Sequence, residues 1–465
     1  MNQLITLVFI VTLFFMSGCK KESLLHEVLD MAGSNRTELE TVLNQYRVVD
    51  PNPEKLRAAV FLIENIAAHY SYNGNSIYDY YDYAASIITD TLLTPEQQRD
   101  SLLAITDKKY RGLPDYTIPD AQIVKASFLI DNINKSYDQW KKCSWASQLS
   151  FDDYLEWLLP YKAVELQEMD YWRDTLLTHF GKGLTNPIKN DVEYGTTVGV
   201  ADMIRNNICF GVNRYGLYTR EGLPLLSSYL LPRQTFGDIA DYVLLAVLTF
   251  RAAGIPTVID ETPVGARETA ASRWFVILSD RGQELTSEWD LSNMIGGSFF
   301  PYERGPKVYR RSYRINTERK NYYNNAKWIY PFDLFHQDVT SLYFLDSDIC
   351  LNLEKHTRSR LKDKYVYIAS AIRNGQDSLA KKAGGPDLSD WKIVDFGVMK
   401  GRKAYFKNMG REVLYLALGY DGNKLIPLDN PFILHKDGSL EFVLSDTINS
   451  VYLDKWRNNH NYIRP

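Results

Sequence analysis

The chain has 465 residues, 45% apolar and 24% charged, which is the composition of a folded protein with room for two or three cores and excludes a disordered chain. A formal net charge of -4, with no Lys/Arg cluster, argues against a nucleic-acid binder, which needs a basic face to neutralise phosphates. Thirty-two tyrosines are unusual for this length.

Residues 4–16 are an apolar run too short to span a bilayer, followed by Ser17, Gly18 and Cys19. This arrangement resembles a bacterial lipobox, although no Lys or Arg precedes the run. The resemblance implies that residues 1–19 are a lipoprotein signal peptide and that acylated Cys19 is the membrane attachment. Lys20, Lys21 and Glu22 faintly resemble the surface-export signals of Bacteroidetes lipoproteins. The expected location is the cell envelope, anchored to the outer membrane, with its periplasmic or outer face undecided. Cys143, Cys209 and Cys350 remain; three is odd, so at least one thiol is free, and all three are expected as small buried hydrophobes. No CxxC or Cys/His spacing suggests a metal site, and no cofactor is implied.

Residues 24–182 read as a helical domain. Thr37 and Glu40 form a T-x-x-E capping box ahead of a helix to about residue 46. Residues 53–69, PEKLRAAVFLIENIAAH, follow with Pro in the first turn and an apolar face of Leu56, Val60, Ile63 and Ala67. Thr94, Pro95 and Gln97 open another helix, and more are expected over 121–140, 151–158 and 171–180. Over 70–83, YSYNGNSIYDYYDY sets aromatic rings among Asn, Asp and Gly, as a sugar site does. A tyrosine-rich helix connection packed on its neighbours is the preferred reading.

Residues 236–263, FGDIADYVLLAVLTFRAAGIPTVIDETP, are the strongest fold signal. Ile239, Val243, Ala246, Val247 and Phe250 recur at helical spacing, Gly254 stops the helix, and Pro256 keeps it from resuming. A buried strand is expected over 257–260. Residues 274–278 and 284–290 read as a hairpin around a turn at 280–282. Beyond about 331, strands are expected over 339–345, 364–371, 391–397, 402–408 and 412–419, with turns at 421–423 and 437–438. That spacing suggests a C-terminal β-sandwich over 335–465, with Tyr365, Tyr367, Trp391 and Tyr405 either exposed for a partner or inward as core.

Gly237, Asp238, Ile239, Ala240 and Asp241, then RAAGIP at 251–256, then Ser272, Arg273 and Trp274, and finally Trp289 and Asp290 resemble the transglutaminase-like core of the papain-type cysteine enzymes. The match covers about 186–330. The flanks PEKLRAAVFLIEN, LSFDDYLEWLLPYK, PKVYRRSY, DVTSLYF and NPFILHKDG resemble Bacteroidetes lipoproteins bearing such a core. The implied fold is multidomain α+β, comprising a helical N-terminal domain, a transglutaminase-like core and a C-terminal β-sandwich.

The family chemistry places a cysteine thiolate at a helix N-terminus, a histidine base on the facing strand, and an Asp that fixes the imidazole. At the matching positions this chain has Ile239, Ser272 and Asp290. No histidine lies between His179 and His336, and Cys209 is the only cysteine in the core. The triad is therefore degenerate and no catalytic residue is expected from it. Asp238, Asp241, Arg273, Trp274 and Trp289 are the candidates to line a retained cleft for a peptide or glycan. The alternative is a hydrolase or amide-bond enzyme of the protease or peptide N-glycanase class, using residues outside the inherited triad.

Overall fold

A computed structural model describes residues 24–106, 117–181, 197–211, 216–217, 224–237, 239–264, 272–278, 284–285, 304–372 and 391–443. Cys19, Asp238, the turn at 280–282, Trp289 and Asp290 lie outside them, and Cys209 and Ile239 are placed in their helices by backbone alone. The architecture is a set of N-terminal helices, a mixed α+β middle region and a C-terminal curled antiparallel sheet. The chain forms two compact units, one of Met1–Ile259, Trp274–Ser298 and Arg311–Ile315, the other of Asp260–Arg273, Phe299–Arg310 and Asn316–Pro465.

In the first unit, Leu24–Met31, Arg36–Asn44, Pro53–Asn65 and Ala126–Lys142 are helices around a core that includes Val28, Leu39, Leu62, Ile63 and Leu129. The capping box expected at Thr37 is absent. The helix already begins at Arg36, fed by the short turn Gly33–Asn35, so Glu40 reaches the Arg36 guanidinium at 2.7 Å instead of a cap. Pro53–Asn65 is capped by Asn52, whose Oδ1 accepts from the amides of Glu54 and Lys55 at 3.1 and 3.0 Å. Its buried face is Ala58, Ala59, Phe61, Leu62 and Ile63, rotated from the expected one because the two alanines let neighbouring elements approach. Thr94 and Gln97 do form the reciprocal box, at 2.9 and 3.3 Å, ahead of Pro95–Thr106.

The helix Ile239–Ala252 was expected to bury one face, yet every residue from Asp241 to Ala252 is buried. A helix apolar on nearly all sides is a central core helix, and its partners include Ile204, Ile208, Leu226 and Phe275. It ends as predicted, with Gly254 at φ +83°, Ile255 N–H donating to Phe250 O at 2.9 Å and Gly254 N–H to Arg251 O at 3.1 Å. Those two bonds satisfy carbonyls the helix itself leaves open. The strand Thr257–Thr262 follows.

In the second unit, eight strands form one sheet. Seven lie in the order Asp346–Asn352, Lys403–Gly410, Trp391–Lys400, Tyr365–Ala371, Val413–Tyr420, Phe432–Leu434 and Leu440–Phe442, with Leu425–Pro427 also paired to Val413–Tyr420. The strand expected over 339–345 is instead a turn, Thr340–Leu342, because Asp338 Oδ1 accepts from the Thr340 amide at 3.0 Å and bends the chain. The strand begins at Asp346, and its alternation buries Ile349 and Leu351 while turning Cys350 outward. Cys350 is thus an exposed thiol and Cys143 a half-buried one, in place of the expected core positions.

A sandwich needs a second sheet, and this one curls so that Ile349, Val366, Val394, Phe406, Tyr415 and Phe432 share one core. Other aromatics of the sheet are covered by the helix Thr317–Asn325 and the segment after it. Tyr322 stacks on Phe396 at 4.5 Å and meets Tyr365 edge-on at 5.2 Å, and Trp328 meets Tyr367 edge-on at 4.7 Å. Tyr365, Tyr367 and Trp391 are therefore core, and Tyr405 is exposed.

Candidate functional site

The site grows from the alternation of a strand pair. Within the second unit the end of Thr257–Thr262 runs antiparallel to Tyr309–Arg311, with Asp260 facing Arg310 and Glu261 facing Tyr309. Facing residues share a side of the sheet and successive residues alternate. On one side the Arg310 guanidinium holds the buried Asp260 carboxylate with two bonds of 2.9 and 2.8 Å, and the Tyr343 hydroxyl donates to it at 2.6 Å. This fork is a rigid base. On the other side Glu261 and Tyr309 stand together, and the strand His336–Asp338 adjoins Tyr309–Arg311.

That second side opens into a cavity of about 270 Å³, lined by Glu261, Thr262, Ser272, Arg273, Tyr309, Arg319, Tyr330, Phe332, Asp333, His336 and Lys392 among others. His336 Nε2 lies 2.5 Å from Glu261 Oε1 but off the hydrogen-bond direction, so charge joins the two when the imidazole is protonated. The imidazole is stacked on Tyr309 at 5.1 Å, nearly parallel, which fixes its plane. Glu261 also faces the Arg273 guanidinium at 3.7 Å. Asp333 accepts from the Phe335 amide at 2.8 Å.

Arg319 leans over the Tyr309 ring at 4.6 Å and the Phe332 ring at 5.2 Å. Its Nη2 is 3.9 Å from Asp395, and its Nη1 is buried without a hydrogen-bond partner among the described residues. Burial acts to lower the Arg319 pKa, yet Tyr309 and Asp395 outweigh it and hold the group above its ordinary value. Burial drives the Tyr309 hydroxyl well above its usual range, so it stays a neutral donor, to Val394 O at 2.8 Å.

The predicted site residues divide. Ser272 and Arg273 line this cavity. Asp241 and Trp274 are buried, at 0% and 4% exposure, and both pack in the first unit. Asp238, Trp289 and Asp290 lie outside the described residues. The tyrosine-rich stretch is mostly the helix Asn75–Ile88, which turns Ile77, Tyr80 and Ala84 inward and leaves Tyr78 and Tyr83 in solvent. Glu261, Tyr309, Arg319 and His336 were missed. Two signals pointed to Glu261 and Tyr309, the acid pair Asp260, Glu261 near the end of a buried strand and the basic run in PKVYRR, whereas nothing local marked Arg319 or His336.

Among the described residues no group of three or more His, Cys, Asp or Glu is arranged to hold a metal ion, and no helix is long and apolar enough to cross a membrane. Comparison with protein-family models, with curated proteins and with solved structures finds no match.

Proposed function

We propose that this chain is a lipid-anchored cell-envelope protein that binds a glycan or peptide through the cavity of its second unit. In this reading residues 186–330 are a transglutaminase-like core whose inherited triad is degenerate, residues 24–182 are a helical domain, and residues 335–465 are a module derived from a β-sandwich. Cys19 carries the lipid and tethers the protein to the outer membrane. What supports a binding role is the sequence at the nucleophile and base positions, where Ile239 has no nucleophilic atom and Ser272 cannot act as a base near neutral pH.

The observation that carries the reading is the cavity itself. The rings of Tyr330 and Phe332, the hydroxyl of Ser272 and the charged groups of Arg273, Arg319 and Lys392 line a space of about 270 Å³. A concave apolar wall with a few convergent polar groups is the usual form of a ligand site. The test is binding of the purified full-length chain to glycan arrays and peptide libraries, with Phe332→Ala and Arg273→Ala compared. Specific binding that both substitutions weaken supports the reading; binding indifferent to both sinks it. Cys19→Ala should move the protein from the membrane to the soluble fraction.

A second reading has its own observation. Ser272 and His336 line one cavity, and Glu261 sits beside the imidazole at 2.5 Å, so a serine, a histidine and a carboxylate share one space apart from the inherited pairing. No hydrogen bond joins Ser272 to His336 among the described residues. Turnover of peptide or ester substrates that His336→Ala abolishes would favour this reading over the first.

A further inference from the structure

We propose that the ligand of this cavity is an acidic sugar, whose carboxylate is received by the Arg319 guanidinium. The inference rests on the binding reading above and narrows it to one chemistry. Its starting point is an imbalance among the lining charges. Arg273, Arg319 and Lys392 face Glu261 and Asp333, with the His336 imidazole among them. Glu261 is answered by His336 at 2.5 Å and Arg273 at 3.7 Å. Asp333 is tied to the Phe335 amide and lies 3.9 Å from His336.

Arg319 differs from the other cations. It is only 4% exposed; its nearest carboxylate, Asp395 at 3.9 Å, is itself held by Lys307 at 3.0 Å, and Asp333 acts on it from farther away. Its Nη1 is buried and makes no hydrogen bond with any described residue. A guanidinium N–H removed from water and left without an acceptor is costly, and a planar fork best accepts a carboxylate. Lys392, half-buried and without an ion pair among the described residues, adds a second positive charge on the same wall.

The rest of the lining selects the body that carries the carboxylate. Tyr330 and Phe332 supply apolar ring surface for the CH groups of a sugar ring. Glu261 and Asp333 accept from hydroxyls, while Ser272 both donates and accepts, so a polyhydroxylated ring meets donors and acceptors together. The volume of about 270 Å³ suits one such residue, at the end of a chain or free.

The test is calorimetry on the full-length chain in detergent micelles with glucuronate, methyl glucoside and an N-acetylated amino acid. Glucuronate is expected to bind at least tenfold more tightly than methyl glucoside. Arg319→Gln should lose tenfold or more, and Arg319→Lys should keep part of the affinity. Lys392→Gln, at a half-exposed position, should weaken glucuronate a few-fold more than it weakens methyl glucoside. Equal binding of the charged and neutral sugars overturns the inference while the binding role stands. Preference for the acetylated amino acid overturns the sugar and assigns a peptide end. No binding of any of the three overturns this inference, and silence on the arrays as well sinks the binding role with it.

Discussion

Glu168 shows how one buried charge sets a pH response. Burial, with the neighbouring Asp170 carboxylate adding to it, pushes its pKa up to about 7, and Oε2 is buried without a hydrogen-bond partner among the described residues. The folded state therefore prefers the protonated acid. The ordinary value is near 4.3, so its contribution is fully present below that pH and is lost as pH rises toward 7. Glu168→Gln keeps the shape without the charge. It should raise stability at pH 8 by about 1–3 kcal/mol and have little effect at pH 4, read from urea denaturation at both. Lys307 is the opposite case. It is fully buried between Asp338 and Asp395, and although burial acts to lower its pKa, the two carboxylates hold it above the usual lysine value. Its contribution is present below the ordinary lysine pKa and lost only as pH rises through the higher folded one. Lys307→Met leaves two acids facing each other and should cost about 3–5 kcal/mol near neutral pH, measured by the same method.

At the scale of elements, the parts written in local spacing were legible. The central helix, its glycine stop, the strand after it and the strands Tyr365–Ala371, Trp391–Lys400, Lys403–Gly410 and Val413–Tyr420 follow from periodicity and turn residues within a few positions. Gly254 is the clearest instance. At φ +83° a side chain is strained, and a Cβ there would lie 3.4 Å from Trp145 Nε1, whose hydrogen bond to Ala253 O at 2.9 Å holds it in place. Gly254→Ala should cost about 1–2 kcal/mol, seen as a lower melting temperature without loss of helical signal. What spacing does not record is which distant residues meet. Asp338 bending the chain at Thr340 moved a strand, and Tyr322 and Trp328 covering the sheet removed the need for a second one. The site depends on the same kind of pairing. Arg273 was legible because it belongs to a local motif, whereas Glu261 and His336 come together only when separate strands are laid side by side.

At the scale of the molecule, the two units are interleaved along the chain, which passes between them after Ile259, Arg273, Ser298, Arg310 and Ile315. A fragment of residues 316–465 keeps the curled sheet but loses Lys307, the partner of Asp338 and Asp395, and Val264, a member of the sheet's core. That fragment should lack the cooperative thermal transition and near-ultraviolet dichroism signal expected of the full chain. Residues 311–315 have a like effect on the first unit. His69 is stacked on Tyr313 at 4.2 Å, and the Tyr313 hydroxyl donates to Leu62 O at 3.2 Å, so this short segment closes a core begun some 250 positions earlier. During synthesis the N-terminal helices must wait, incompletely covered, until residue 315 has left the ribosome. Contacts so far apart in sequence slow folding and leave apolar surface open to chaperones. The interleaving thus acts as a timer, delaying closure of the first unit's core until late in synthesis.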